Sequence, residues 1–229
     1  MLKYEFTNET KKVKDVLGNF HTLHRIKALK DFGGVNKGDL GGWIEKESNL
    51  GHEGNCWVDG NAMIYNDAQV FGDALVYDTA QVYGNAQVFG DALVYDIAQV
   101  FSHAQVYGNA QVYGEAQVYD DAQVYGSAWV CDNAQVYGNA QVHGDAWVRD
   151  LAQVYDDAQV HGSARVFGHA WVYDNAQVYG HAEVHGDAQV YGHAKVYDIA
   201  QVYDDAQVHG SVRVCDNSVL CGDTEVLGD

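Results

Sequence analysis

Two histidines in a repetitive tract are the side chains best placed for acid–base chemistry. His143 and His161 are separated by three copies of a six-residue repeat. An imidazole titrates near neutral pH, so it can act as a general base toward a hydroxyl or an amine. If three copies of the repeat close one coil, the two rings stack on one face below Tyr179. An architectural explanation is favoured, in which histidine replaces tyrosine in an outward column, as at His185 and His209.

Metal and disulfide chemistry have weaker support. Asp198 and Asp216 lie at predicted corners and, like His143 and His161, are separated by three hexads. His181 and His185 have a spacing that could suit metal ligands. In a strand-and-corner geometry these two histidines point from different places, unlike an i,i+4 pair on a helix, so we predict no metal site. The four cysteines are expected to be free thiols, as in a reducing compartment.

The charge is distributed unevenly along the 229 residues. The chain has 13 Lys and Arg against 32 Asp and Glu, a formal net charge of −19. Residues 1–47 hold nine of the basic and seven of the acidic side chains, so residues 48–229 keep four basic and 25 acidic ones, a net charge of −21. This acidity argues against direct binding of nucleic acid or of an anionic membrane. No apolar run is long enough for a membrane span or a signal peptide, and we expect a cytoplasmic protein.

A six-residue repeat must position all of these residues. Alanine occupies every sixth position over residues 62–206, and valine does so over residues 70–214. The unit Ala-Gln-Val-Tyr-Gly-Asn predicts a short strand with one buried face, followed by a corner. No hexad can bury its alanine and valine alone, so the units must stack. Substitutions recur in every third hexad, for example at Leu75 and Leu93, which indicates three hexads per coil.

The predicted fold is an all-β parallel β-helix of about ten triangular coils over residues 48–229. At ~4.8 Å per coil the prism is roughly 46 Å long. Its interior is narrow and filled by alanine and valine, so any site must lie outside. A uniform repeat specifies its register weakly, because a slip of one coil preserves nearly every contact.

The N-terminal segment, residues 1–47, is predicted to be a small β cap that sets the register. Lys3–Phe6 and Phe20–Leu29 have the composition of strands. Trp43 and Ile44 are expected to pack over the first coil.

One of the three outward faces departs from the consensus. Two faces are ladders of glutamine and tyrosine, which stabilise adjacent coils by stacking and amide hydrogen bonds. The third, here called the divergent face, combines Trp, Leu and Arg, the composition of a protein interface. Its predicted interface residues are Trp57, Leu75, Leu93, Trp129, Trp147, Arg149, Arg165 and Phe167. We expect a homo-oligomer, a trimer or a dimer, built on this face; random drift of surface positions is the competing explanation.

Three N-terminal motifs resemble a known family. They are Ala28-Leu29-Lys30-Asp31-Phe32, Gly38-Asp39-Leu40-Gly41-Gly42-Trp43-Ile44-Glu45 and Glu53-Gly54-Asn55-Cys56-Trp57-Val58. With the repeat tract, they resemble YdcK-type hexapeptide-repeat proteins of bacteria and phages, which carry an acetyltransferase label. The resemblance implies a left-handed coil. It places no catalytic residue on this chain, because the loop that interrupts the prism in hexapeptide acyltransferases has no counterpart from Cys56 onward.

Three functions compete at this point. The preferred one is a non-catalytic structural or interaction rod without a cofactor. The second is a hexapeptide-class acyltransferase that uses acetyl-coenzyme A, with His143 and His161 as weak candidates for the base; it rests on resemblance alone. The third is an acidic DNA mimic that occupies a nucleic-acid-binding protein, because one charge per ~2.2 Å approaches the ~1.7 Å spacing of duplex DNA. Solubility is the simpler explanation of the acidic surface.

Overall fold

The fold is all-β, as predicted. The computed structural model describes residues 2–15 and 18–228. Within them the regular elements are 32 strands and one short 3-10 turn at Glu47–Asn49. No helix formed by the described residues is long and apolar enough to cross a bilayer.

An antiparallel hairpin opens the chain. Strand β1 (Tyr4–Lys14) pairs with β2 (Phe20–Ala28), and β2 pairs with β3 (Leu40–Ile44) in the same antiparallel sense. The two predicted strands are present, but β1 continues well past the predicted end. Its register with β2 shifts between Phe6 and Thr10 and then resumes, so the hairpin is longer than the sequence pattern indicated.

The remaining strands lie on three faces of a solenoid. The cap face continues β1, β2 and β3 with Met63–Ile64, Gln81–Val82, Gln99–Val100, Gln117–Val118, Gln135–Val136, Gln153–Val154, Trp171–Val172, Gln189–Val190, Gln207–His209 and Glu225–Leu227. The divergent face consists of Trp57–Val58, Leu75–Val76, Leu93–Val94, Gln111–Val112, Trp129–Val130, Trp147–Val148, Arg165–Val166, Glu183–Val184, Gln201–Val202 and Val219–Leu220. The third, here called the histidine face, consists of Gln69–Val70, Gln87–Val88, Gln105–Val106, Gln123–Val124, Gln141–Val142, Gln159–Val160, Gln177–Val178, Lys195–Val196 and Arg213–Val214.

Each solenoid strand pairs in parallel with the strand three hexads further along the chain. Leu75 lies opposite Leu93, and Gln99 lies opposite Gln117. The same register holds on all three faces, which gives about ten coils of three short strands each. The predicted parallel solenoid and its coil length are therefore confirmed.

The interior and the corners of the solenoid explain which residue types occur at each position of the six-residue repeat. Every alanine and valine at the two apolar repeat positions from Ala62 to Val208 is buried. The corners adopt positive φ, 71° at Gly126 and 58° at Asp96, a conformation that glycine and aspartate tolerate. The carboxylate of Asp96 also accepts the Gly114 N–H one coil later, at 3.0 Å. Aspartate at a corner thus has a structural role that glycine cannot fill.

The cap joins the solenoid through backbone pairing. β3 pairs in parallel with Met63–Ile64, and the Trp43 N–H donates to the Ala62 carbonyl at 2.9 Å. Ile44 is fully buried, so it packs over the first coil as expected. Solenoid-type pairing accordingly begins within β3, on the N-terminal side of residue 47.

Two buried polar side chains complete the junction. Asn49 Nδ2 donates to the carbonyls of Asn66 at 3.0 Å and Ala68 at 2.8 Å. Lys3 Nζ donates to the carbonyl of Cys56 at 2.8 Å. Among the described residues, Lys3 and Asn49 are the buried polar or charged ones. Both side chains donate hydrogen bonds to backbone carbonyls of the first coil. In later coils the backbone N–H groups of the preceding coil donate to such carbonyls, for example from Gln69 to Ala86.

Candidate functional site

The histidine face brings the two predicted bases together. The rings of His143 and His161 are stacked, with centroids 4.9 Å apart and planes 4° from parallel. Tyr125 continues the stack on one side at 4.7 Å and Tyr179 on the other at 5.0 Å. The predicted column is therefore present, with histidine in positions that tyrosine occupies elsewhere.

The electrostatics of this pair favour neutral imidazoles. Burial lowers the pKa of both His143 and His161 below the ordinary value, and the neighbouring His161 lowers that of His143 further. No described side chain forms a hydrogen bond with either ring, so nothing fixes a tautomer or an orientation other than stacking. A neutral imidazole can accept a proton, but the orienting partner typical of a catalytic base is lacking within the described residues.

A repeating hydrogen-bonded ladder of tyrosine and glutamine runs along the histidine face and also along the cap face, where Tyr119, Tyr137 and Gln153 lie. The hydroxyl of Tyr137 donates to Gln153 Oε1 at 3.1 Å, and Tyr125 donates to Gln141 Oε1 at 3.4 Å. Burial, with smaller contributions from neighbouring Tyr137 and Asp120, raises the pKa of Tyr119 to about 12. These phenols remain protonated donors, which supports an architectural role for the columns.

The divergent face carries a different set of contacts. Trp129 and Trp147 stack with centroids 4.8 Å apart and planes 9° from parallel. The guanidinium of Arg165 lies 5.6 Å from the Trp147 ring and 3.2 Å from a carboxylate oxygen of Glu183. Beside them Arg149 lies 4.7 Å from the centre of the Phe167 ring. The predicted interface residues in the middle of this face therefore form two neighbouring columns of stacking and cation–π contacts, one through Trp129, Trp147 and Arg165 and the other through Arg149 and Phe167.

The exposure of this face varies along its length. Trp147 is 36% exposed, and Leu151 at the adjacent corner is 46% exposed. Leu93 is half-buried, and so is Leu75, which packs against the core. Trp57 is only 4% exposed, so the prediction that it belongs to an exposed strip is wrong.

The cap accounts for the burial of Trp57. Phe32 meets the Trp57 ring edge-on at 5.4 Å, and a Cβ on Gly41 would lie 2.5 Å from the Trp57 ring. The sequence pattern placed Trp57 on the divergent face correctly, but it contained no information on which solenoid residues the cap covers.

Two surface clefts lie where the cap meets the solenoid. One, of about 400 Å³, runs between Asp15 and the corners at Asn66 and Ser102. The other, of about 160 Å³, lies between Gly33 and Trp57. Neither is lined by His143 or His161, so these clefts offer that pair no enclosed substrate pocket.

One cluster has metal-ligand atoms close together. Ligand atoms of Asp198, Cys215 and Asp216 all lie within 4.8 Å of one another. The Asp216 N–H donates to Asp198 Oδ2 at 3.2 Å, the same corner bond that other coils make, and the Cys215 thiol lies 3.5 Å from Asp216 Oδ2. Corner architecture explains this arrangement. The four cysteines are free thiols, as predicted.

A histidine between two carboxylates was missed by the sequence analysis. His21 Nδ1 lies 2.9 Å from Glu45 Oε1, and its Nε2 lies 3.2 Å from Asp15 Oδ2. Burial lowers the pKa of His21, but the hydrogen bonds to Glu45 and Asp15 outweigh it and raise the pKa above the ordinary value. The pairing of the hairpin with β3 creates this cluster, and no local spacing in the sequence signals it.

Comparisons with known proteins agree with the repeat architecture. The family described as "YdcK Beta solenoid repeat" matches residues 68–84, 80–96, 116–132 and 134–150. A protein of Escherichia coli (strain K12), named "Uncharacterized acetyltransferase YdcK", is 50% identical over 36 residues, which are 16% of this chain and 11% of that protein. The match thus spans about a ninth of the length of that relative. In structure the chain is a β-solenoid, and over the four matched segments its sequence is similar to YdcK-type solenoid repeats.

Proposed function

We propose that the protein is a non-catalytic rod that binds a second copy of itself through the divergent face. The stacked pair of Trp129 and Trp147 carries this proposal. Trp147 is 36% exposed, and Ile97 and Leu151 at the bordering corners are 49% and 46% exposed. Exposed tryptophan, isoleucine and leucine side chains on one face are typical of a binding surface, whereas a glutamine ladder is compatible with water.

Charge supports a second copy as the occupant. Two of the four basic side chains of residues 48–229, Arg149 and Arg165, lie on the divergent face. Each guanidinium is held over an aromatic ring; Arg165 also pairs with Glu183 at 3.2 Å and Arg149 lies 3.8 Å from Asp150, and each has five N–H groups, so donors remain for a partner. The rest of the solenoid is strongly acidic, so another copy offers carboxylates to these arginines. Tryptophan and arginine are also the residues that most often dominate interface energetics.

Light scattering of the intact chain at micromolar concentration tests this proposal. We expect the wild type to be a dimer or a trimer, and the double variant Trp129→Gln/Trp147→Gln to be monomeric, because glutamine restores the ladder of the other faces. Trp171→Gln is the matched control, since Trp171 is 40% exposed in a glutamine column of the cap face. A monomeric wild type, or equal effects of the two changes, would contradict self-association through the divergent face.

An acyltransferase is the second candidate. Two observations favour it: the acetyltransferase name of the partly matching relative, and the neutral, stacked pair of His143 and His161. In this role one imidazole would take a proton from the acceptor hydroxyl or amine during attack on the thioester of acetyl-coenzyme A. Acidic surroundings oppose it, because a pyrophosphate is normally bound by basic groups.

Calorimetry with acetyl-coenzyme A distinguishes the two candidates. A non-catalytic rod gives no binding heat and no acetyl transfer to amine or hydroxyl acceptors. Binding accompanied by turnover that is lost in His143→Ala or His161→Ala, but kept in His185→Ala, would establish the acyltransferase. His185 is a suitable control because it stacks on Phe167 at 4.6 Å in an equivalent column of the divergent face.

A further inference from the structure

A buried lysine faces a buried cysteine at the cap junction. Lys3 and Cys56 are both 0% exposed. The Lys3 amine lies 3.0 Å from Cys56 Sγ and donates to the Cys56 carbonyl at 2.8 Å. Its other contacts are the Gly54 carbonyl at 3.4 Å and the face of the Phe32 ring at 5.0 Å. No described carboxylate forms an ion pair with this amine, so sulfur is its side-chain hydrogen-bond acceptor.

The surrounding backbone holds the two groups together. The Lys3 N–H donates to His52 Nδ1 at 3.2 Å, and the Leu29 N–H donates to the Lys3 carbonyl at 2.9 Å. Cys56 Sγ lies 3.3 Å from the Gly51 carbonyl. Because both residues are fixed by neighbours of their own, the contact between nitrogen and sulfur is preorganised for reaction.

A short loop separates this contact from solvent. Glu53, Gly54 and Asn55 are exposed, and the Gly54 carbonyl touches the Lys3 amine directly. Hydrogen peroxide would therefore reach the sulfur through a local opening of this loop, which does not require unfolding of the solenoid.

We propose that hydrogen peroxide converts this pair into a reversible covalent link between Lys3 Nζ and Cys56 Sγ. In the first step the Cys56 thiol is oxidised to a sulfenic acid, and the peroxide is reduced to water. In the second step the Lys3 amine, having lost its ammonium proton to water, attacks the sulfur. The S–N bond forms, the S–O bond breaks, and the departing oxygen leaves as water with a proton from the nitrogen.

Reduction reverses the link. A thiol attacks the Cys56 sulfur and releases the Lys3 amine, and a second thiol then frees Cys56 as the reductant becomes a disulfide. The linked residues are 53 positions apart in the chain, so the closed form ties the start of β1 to the first coil. Such a cross-link disfavours opening of the cap by a factor on the order of 100.

Peptide mass spectrometry tests the proposal. The full-length chain is treated with hydrogen peroxide and then digested with a protease that cleaves after acidic residues. The variant Cys215→Ser/Cys221→Ser removes the two more exposed thiols. We expect the peptides that contain Lys3 and Cys56 to be joined, with the mass of two hydrogen atoms lost, and to separate after addition of dithiothreitol. Hydrogen exchange of the amides in β1 and β2 should slow in the linked form.

Cys131 is the internal control, because it is buried and its polar neighbours are Tyr113, Asp132 and Arg149 but no lysine. It should form no link. Lys3→Arg keeps a cation but lacks the primary amine, and should leave Cys56 unlinked in a chain whose hydrogen exchange shows an intact cap. Sulfenic or sulfinic acid at Cys56 beside an unmodified Lys3 in the wild type, or no reaction at Cys56, would overturn the proposal.

Discussion

The solenoid and the cap are stabilised in different ways. In the solenoid each contact recurs: the bond from Tyr137 to Gln153 has an equivalent from Tyr173 to Gln189 on the same face. In the cap and at its junction with the first coil each contact occurs once, as with His21 in the cap and Asn49 at the junction. The repeated contacts therefore provide length and rigidity, whereas the unique contacts determine where the repeat begins. A substitution in the cap should consequently cost more than an equivalent one in the solenoid.

Deletion of residues 1–47 is expected to have the largest effect. It removes β3 and Lys3, which supply hydrogen-bond donors to the first coil. The open parallel edge that remains is a template for pairing with another chain. We predict aggregation more than unfolding, visible as a shift to high mass in size-exclusion chromatography with strand content preserved in circular dichroism. A truncated chain that keeps the size distribution of the intact protein would show that the segment is not a cap.

Asn49→Ala tests a single unique contact. The amide of Asn49 supplies two hydrogen bonds to otherwise unpaired carbonyls in a fully buried position. Its loss should lower the free energy of unfolding by about 2–3 kcal/mol. The comparison is Asn139→Ala, whose amide bonds Asp157 at 3.1 Å on the exposed surface of the solenoid and should change stability by less than about 0.5 kcal/mol. Equal losses in urea denaturation would remove the distinction between the two regions.

Gly126→Ala tests a repeated corner. Gly126 has a φ of 71°, and an added Cβ would lie 2.9 Å from the Gly144 nitrogen of the next coil. Alanine should cost about 1–2 kcal/mol, because it both enters the left-handed region and crowds the neighbouring corner. Asparagine at the same position should cost less, since it tolerates this conformation. Equal midpoints of thermal unfolding for the alanine and asparagine variants would contradict the explanation that the corner favours residues that tolerate the left-handed conformation.

A change of pH tests the cluster at His21 and has the smallest expected effect. The pKa of His21 is raised in the folded chain, so its stabilising contribution is fully present below the unfolded pKa of about 6.5 and is lost as pH rises through the folded value. A neutral imidazole donates from one nitrogen, so either Glu45 or Asp15 loses the hydrogen bond from this ring, while Asn66 still donates to Glu45 and Asn19 to Asp15.

Hydrogen exchange measures this effect. Above the folded pKa of His21, the amides of β1 and β2 should exchange faster than those of the solenoid, after correction for the pH dependence of the intrinsic amide exchange rate. His21→Gln should abolish the pH dependence. A wild-type cap whose protection stays constant across the transition would contradict a role for the charged imidazole.

The sequence predicted the solenoid because every coil repeats the same physical requirement. Alanine and valine at fixed positions indicated one buried face, and substitutions in every third hexad gave the coil length that pairing of Leu75 with Leu93 confirms. The handedness came from the family resemblance and not from the repeat. The stack of His143 on His161 followed from the same spacing.

The cap was less predictable because its contacts join residues far apart in the chain. Lys3 meets Cys56, and Trp57 is covered by Phe32, through pairings that have no periodic signal. The extension of β1 beyond Phe6 depends on its register with β2, which polar residues at an exposed edge do not specify. Local patterns thus identified strands in the cap but not the site that their assembly creates.

The constant register of the solenoid has an evolutionary consequence. Because each coil pairs in the same way with the next, as from Gln99 to Gln117, duplication or loss of one whole coil leaves every column continuous. Such an event changes the distance between the cap and the Trp129–Trp147 pair by ~4.8 Å without altering any contact type. An insertion of one or two hexads instead moves the downstream strands to a different face relative to the cap. The distance between two surface features on one face can therefore change by a whole number of coils while both features stay on that face.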